Sequence, residues 1–411
     1  MYTPIFYLIV FFIVIEFVWD RFLLYLNTTQ WSDKVPAELE GIYDASKYAK
    51  QQQYSRVNYR YGWFTSVYGI VLVLAMLFFQ GFSMLDRWVL NFTDHEILRA
   101  ILFLGALGLG SALLNLPFSL YSTFVIEERF GFNKTTPKIF VLDLFKSMLI
   151  GAILGGGILA LIMWFVQLAG DLFWLYAWGL MTCFMLLMTM FYTSVLLPLF
   201  NKQTPLEDGE LKTAIQAFCE KVGFKLDNIY MMDGSKRSTK ANAFFSGLGA
   251  KKRIVLYDTL VKDLEVDEIV GVLAHEIGHY KKKHTLWGMI SGIMQTGIML
   301  YVFALFVYSP ELSQALGVQE PAFHIGLIAF GILYSPISGI AGLFSTLISR
   351  KNEYEADAFA AKYHNAESLI KALKTISVNA LSNLTPHPWF VFFHYSHPPL
   401  LSRIKALNKY S

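Results

Sequence analysis

His275, Glu276 and His279 form an H-E-x-x-H motif. Residues four apart share one face of a helix, so the two imidazoles can grip a single ion. Glu276 then lies beside that ion, where its carboxylate can take a proton from an activated water. A catalytic metal site needs a third protein ligand while one position stays open for water. The chain has only two cysteines, Cys183 and Cys219, so a C-x-x-C site is excluded and a structural disulfide is not expected. Any zinc must therefore rest on histidine and carboxylate. Candidates crowd the run Glu353-Tyr354-Glu355-Ala356-Asp357. Glu353 and Asp357 stand one helical turn apart, so one could ligate while the other accepts the free ring N–H of a ligating histidine. Spacing leaves open which does which, and Glu355 competes. The histidines at 95, 284, 324, 364, 387 and 394 have no ligand spacing and read as structural. His284, five residues beyond His279 on the same helical run, comes nearest to being an exception.

The elements that must hold these groups are mostly membrane helices. The 411-residue chain is 55% hydrophobic and only 16% charged, against about a quarter charged in soluble proteins. Apolar runs near 3–25, 63–84, 98–126, 146–169, 172–199, 286–308 and 324–348 are each long enough to cross a bilayer. The first lacks the basic start and small-residue cleavage site of a signal peptide and reads as a span. The 34 lysines and arginines divide 6, 2, 4, 0, 14, 0 and 8 among the seven segments following these spans. Alternate compartments thus receive 32 and 2, which predicts seven crossings, an N-terminus outside or in a lumen, and 201–285 in the cytosol. The net charge of +3 follows from this topology, and no basic-aromatic strip suggests nucleic acid.

Segment 201–285 reads as a folded insert. Leu211, Ala214, Ile215, Phe218 and Val222 recur at helical spacing. Short β-rich runs at 228–232, 242–246 and 253–257 follow, separated by turn residues. Asp267 or a residue just before it is placed to cap the motif helix. Strands beside a metal helix suit a protease, because an open strand edge can pair with an extended peptide. The expected organisation is a mostly α polytopic membrane protein with a small α+β cytosolic insert. Residues 1–200 carry spans one to five, 201–285 the insert, 286–348 spans six and seven, and 349–411 a cytosolic segment that completes the site.

Taken together, the motifs resemble those of the type I CAAX prenyl endopeptidases, a family of integral-membrane zinc metalloproteases. The resemblance covers most of the chain. It rests on residues 126–136 (I-E-E-R-F-G-F-N-K-T-T), 198–202 (P-L-F-N-K), 204–209 (T-P-L-E-D-G), 240–247 (K-A-N-A-F-F-S-G), 274–280 (A-H-E-I-G-H-Y), 353–357 (E-Y-E-A-D) and 397–404 (H-P-P-L-L-S-R-I). It implies one zinc per chain, with Glu353 as third ligand beside His275 and His279, and Asp357 as partner of a zinc histidine. His397 and Arg403 are implied near the scissile carbonyl, where an imidazole and a guanidinium could share the charge of a tetrahedral oxyanion. Asn242-Ala243 is implied on the edge strand that holds the substrate backbone.

The family's architecture implies seven helices around a large chamber, and a hydrolytic site near the cytosolic boundary needs water-filled space of this kind. Asn115-Leu116-Pro117 and Gly155-Gly156-Gly157 are compatible with helices facing a cavity, and equally with tight helix packing. The implied reaction removes the last three residues from a prenylated C-terminal C-a-a-X sequence. Two other readings exist. One is a quality-control zinc protease acting on unprenylated membrane proteins, which would have fewer spans and lack the 127–136 motif. The other is a metal transporter, in which Glu276 would have no purpose.

Overall fold

Apolar residues run for whole helical lengths in this chain, so long helices dominate the computed structural model, which describes residues 3–225, 228–246 and 253–410. α1 (Pro4–Thr28) begins where the Thr3 hydroxyl accepts from the Phe6 amide and Pro4 takes the first helical position. α2 (Ala45–Phe78), α3 (Gly81–Leu90), α4 (Glu96–Tyr121), α5 (Pro137–Ala169) and α6 (Phe173–Phe191) follow. α4 and α6 both run out into wide-turn π segments, Ser122–Glu127 and Tyr192–Leu196.

The sheet comes next. It is built from β1 (Gln203–Pro205), then β2 (Asn228–Met232), β3 (Ala243–Ser246) and β4 (Arg253–Tyr257), with α7 (Glu210–Lys221) between β1 and β2. The later helices of seven or more residues are α8 (Val266–Lys281), α9 (His284–Phe306), α10 (Phe323–Tyr363), α11 (Ala366–Asn379), α12 (Pro388–His394) and α13 (Leu400–Leu407).

Five stretches combine the length and hydropathy of a membrane crossing: Ala45–Phe78, Glu96–Phe130, Pro137–Leu199, His284–Phe306 and Phe323–Tyr363. The third holds two helices, α5 and α6, joined at Gly170. α1 carries Glu16, Asp20 and Arg21 within its apolar run and falls outside this set.

The strand order is β1-β2-β4-β3, with β2 and β4 parallel and the outer strands antiparallel to their neighbours. Ile254, Val255 and Leu256 of β4 are fully buried, as expected of a central strand covered on both faces. β3 pairs only with β4, Ala243 opposite Leu256, so its other edge is open among the described residues. β1 was missed by the sequence reading: three residues are too few to show an alternation.

Two polar anchors hold the sheet to the membrane helices. Lys240, just before β3, reaches Glu127 at 2.9 Å, and the Tyr54 hydroxyl donates to the same carboxylate at 2.5 Å. Arg237 donates to both oxygens of Asp143 on α5 at 2.7 and 2.9 Å. Planar fork-to-carboxylate pairing fixes orientation as well as distance.

Candidate active site

The motif helix α8 is strongly specified at its start. Glu265 and Glu268 form a reciprocal capping box, one residue earlier than the Asp267 region would suggest. Ile269, Leu273 and Ile277 then recur on one face and enter a core shared with Ile254, Leu256, Phe359 and Leu369. That burial turns His275 and His279 toward α10, where they meet Glu353 and Asp357. At Gly278 the two helices touch: a methyl there would lie 3.1 Å from the Ala356 Cα and 3.2 Å from its carbonyl oxygen. Glycine is required by this close approach, which sets the distance between the motif histidines and the carboxylates of α10.

The convergence is tight. The His275 and His279 Nε2 atoms lie 3.2 Å apart, and Glu353 Oε1 is 3.2 Å from His279 Nε2. Glu353 Oε2 is 3.4 Å from His275 Nε2 and, among the described residues, is a buried oxygen without a hydrogen-bond partner. One ligand atom from each residue falls within 4.8 Å of the others. Asp357 Oδ1 sits 2.8 Å from His275 Nδ1, so that nitrogen carries the proton and Nε2 offers its lone pair. Two nitrogen ligands at ~2.05 Å in tetrahedral geometry would stand about 3.3 Å apart. The donor set, the spacing and the unsatisfied buried oxygen all fit a metal ion.

Electrostatics agree. Burial alone disfavours the His275 imidazolium, but the neighbouring Asp357 and Glu353 carboxylates outweigh it and lift the ring to about 9. The negative surroundings that attract a proton to His275 would equally attract a cation. Glu276 makes no hydrogen bond or ion pair among the described residues, and burial raises its carboxyl above the ordinary glutamate value.

The remaining expected site residues divide. His397 is exposed on the approach side, its Nε2 3.3 Å from Glu353 Oε1. Its segment is held by Arg350, which donates to the Val391 and Tyr395 carbonyls at 3.0 and 2.5 Å around the end of α12. Arg403 is only 9% exposed. It donates to both Asp357 oxygens at 2.8 and 2.6 Å, with a third nitrogen 3.5 Å from Glu353 Oε2, and so stands behind the ligands. Asn242 lies at the foot of β3: its carbonyl accepts the Tyr257 amide at 3.0 Å, and its side-chain oxygen accepts the Ala243 amide at 2.9 Å. β3 packs beside α8, and its outer edge, unpaired among the described residues, is of the kind that can receive an extended chain.

His284 is the residue that sequence reasoning set aside. Five residues advance a straight helix by about 500°, which would place His284 roughly 140° away from His279. The helix is not straight: Lys283 takes a left-handed φ of 62°, and α9 starts afresh at His284. His284 Nδ1 thereby comes within 3.0 Å of His279 Nδ1. A non-glycine residue in that conformation leaves no mark in a periodicity pattern.

Comparison with known proteins agrees with this geometry. Residues 24–202 match the family model described as CAAX prenyl protease N-terminal, five membrane helices, and residues 205–411 match peptidase family M48. A CAAX prenyl protease 1 homolog of Arabidopsis thaliana is 35% identical, over 99% of this chain and 98% of its own. CAAX prenyl protease 1 of Saccharomyces cerevisiae is 34% identical, over 97% and 94%. The crystal structure of S. mikatae Ste24p superposes with a TM-score of 0.94 at 32% identity, covering 99% of this chain and all of that one. The chain belongs to peptidase family M48 and its CAAX prenyl protease branch, and is an integral-membrane metalloendopeptidase.

Proposed function

We propose that the chain is a zinc endopeptidase that removes the last three residues from proteins ending in C-a-a-X, with a prenylated cysteine as the substrate's membrane anchor. The observation that carries this reading is the convergence of His275, His279 and Glu353, with a buried carboxylate oxygen otherwise unsatisfied. The substrate class follows the names of the relatives. We read the same residues as the whole metal set, one zinc per chain.

Zinc in this position supplies a Lewis acid that acidifies water and polarises a carbonyl. The chain's own residues do the rest. Glu276, without a hydrogen-bond or ion-pair partner among the described residues, accepts the proton of the attacking water and returns it to the leaving amine. Asp357 fixes the His275 tautomer, and Arg403 fixes Asp357. His397, exposed beside Glu353, is the donor placed to meet negative charge growing on the carbonyl. Arg403 acts from behind these groups, so its support of that charge passes through Asp357, His275 and Glu353. Asn242 and Ala243 start the edge along which the peptide lies, and β3 sets its register over Glu276.

For topology we infer seven crossings, α1, α2, α4, α5, α6, α9 and the first part of α10, lining a water-filled chamber. The 32-to-2 split of basic residues supports an outside N-terminus and a cytosolic site. An added methyl at Gly155, Gly156 or Gly157 meets no atom of the described residues within 4 Å, which argues against close helix packing there. On this reading 201–285, between span blocks 1–200 and 286–348, and 349–411, after the second block, are the two cytosolic halves of the active site.

The test uses purified chain in detergent, with zinc quantified. A farnesylated C-a-a-X peptide is compared with its unprenylated twin, and Glu276→Gln is the control. Release of a tripeptide, favouring the farnesylated peptide and lost in the variant, is the expected result. Equal cleavage of both peptides would remove prenyl recognition. Cleavage surviving in Glu276→Gln would remove the mechanism.

A further inference from the structure

His279 and His275 are supported differently. His275 Nδ1 meets a carboxylate directly, Asp357 at 2.8 Å. His279 Nδ1 meets another imidazole, His284 Nδ1 at 3.0 Å, with the rings 5.1 Å apart and inclined at 71°. The far side of that imidazole, His284 Nε2, lies 3.2 Å from Glu355 Oε2. The His284 side chain is 9% exposed, and Glu355, at 40%, opens toward solvent.

Only one proton arrangement satisfies every member of this chain when the His279 Nε2 lone pair is given to a metal. His279 Nδ1 must then carry a hydrogen and donate it to His284 Nδ1. His284 is thereby fixed as the Nε2–H tautomer and donates in turn to the Glu355 carboxylate. Both ends of the relay are of the right kind, a donor and an anion. A neutral imidazole in between can both accept and donate, whereas a lysine or arginine there could only donate. We propose that His284 and Glu355 are positioning residues for the metal centre: they orient His279 through a two-step hydrogen-bond relay equivalent to the single step by which Asp357 orients His275. All three carboxylates of the Glu353–Asp357 run then serve one ion, Glu353 as ligand and the other two as the ends of the histidine supports. The left-handed turn at Lys283 is what brings this support into register.

The inference rests on the metal reading of His275, His279 and Glu353, and the experiment separates the two. Zinc is measured in purified wild-type chain and in competition with a chelator of known affinity. Wild type holding no zinc would defeat the metal reading itself. With wild type holding one zinc, His284→Ala is expected to lose roughly 10–100-fold in affinity, the usual effect of removing an outer partner of a metal histidine. Glu355→Ala should lose affinity as well, while Glu355→Gln, which keeps an acceptor for His284 Nε2–H, should restore most of it. The double variant His284→Ala/Glu355→Ala should be no worse than His284→Ala, since the two act in series. A purely structural role predicts something else: unchanged zinc affinity in folded variants, and Gln no better than Ala at 355. Either result would overturn the proposal. If His284→Ala fails to fold, the Glu355 pair at the more exposed end decides alone.

Discussion

α8 and α2 are both helices of this chain, yet they are held by opposite means. α8 has 16 residues and buries eight of them, His275 included. α2 has 34 residues and buries four, Tyr48, Gln51, Gln52 and Leu77. The windows of the five membrane-capable stretches are only 6 to 17% buried within the protein. A soluble helix so exposed would not be stable, because burial of an apolar face supplies most of its stabilisation. A helix in lipid needs no such cover, since its backbone bonds are internal and its apolar side chains rest against acyl chains. The lesson is one of tolerance. The unit around the motif histidines depends on close packing, whereas most positions on the spans only have to remain helical and apolar.

The largest contrast should appear at Glu276. Glu276→Gln is expected to lower peptide turnover by about 10²–10⁴-fold while leaving zinc content intact. Asn115→Ala, a polar change on α4, should leave turnover nearly unchanged in the same assay. Next comes Glu353→Gln, expected to lose zinc during dialysis against chelator by more than the tenfold to hundredfold of an outer partner. A retained ion would break the assignment of Glu353 as ligand.

Glycine replacement probes packing directly. Gly278→Ala forces a methyl against the Ala356 backbone and should destabilise by about 1–3 kcal/mol and weaken zinc binding. Gly156→Ala, with nothing within 4 Å, should stay within ~0.5 kcal/mol in thermal unfolding. Equal effects at both positions would cancel the distinction drawn between the two regions. The smallest effect concerns pH. Glu276 must be ionised to accept a proton, and burial raises its carboxyl, so kcat/KM should fall with decreasing pH at values above those of an ordinary glutamate. His275, drawn toward protonation up to about 9, makes zinc binding release protons, so zinc affinity should also weaken in acid. Competition titrations at two pH values would separate these two causes.

Much of the site was legible because its chemistry sits in short runs. H-E-x-x-H marks a helix face, and the strands at 228–232 and 253–257 show themselves by β-branched and aromatic residues bounded by turns. What escaped was three-dimensional. His284 reaches His279 through one backbone torsion at Lys283, not through spacing. Arg403 carries the residue type expected beside a scissile carbonyl, but its aim toward Asp357 is set by how α13 packs on α10. The choice between Glu353 and Asp357 as ligand could not be made from their separation, since both lie on one face of α10. In the structure Arg403 pairs with both oxygens of Asp357, while Glu353 is the carboxylate that faces both motif imidazoles. Charges inside an apolar run, as at Glu16, Asp20 and Arg21 of α1, blur the edge of a span for any reading by composition alone.

α10 runs unbroken for 41 residues, about 60 Å at 1.5 Å per residue, and bears Glu353 and Asp357 near its far end. Pro336 removes one amide in its middle, and the Ser335 hydroxyl donates to the orphaned Ile332 carbonyl at 2.8 Å, so the rod continues past the proline. At its other end His324 is clamped to Asp86 at 2.8 Å, and Asp86 is held in turn by Arg99. One stiff strut therefore ties the far face of the molecule to the carboxylates beside the metal. Bilayer thickness, which tilts such struts, becomes a physical input to hydrolysis: lipids that are too thin or too thick should detune the enzyme without touching a single catalytic side chain.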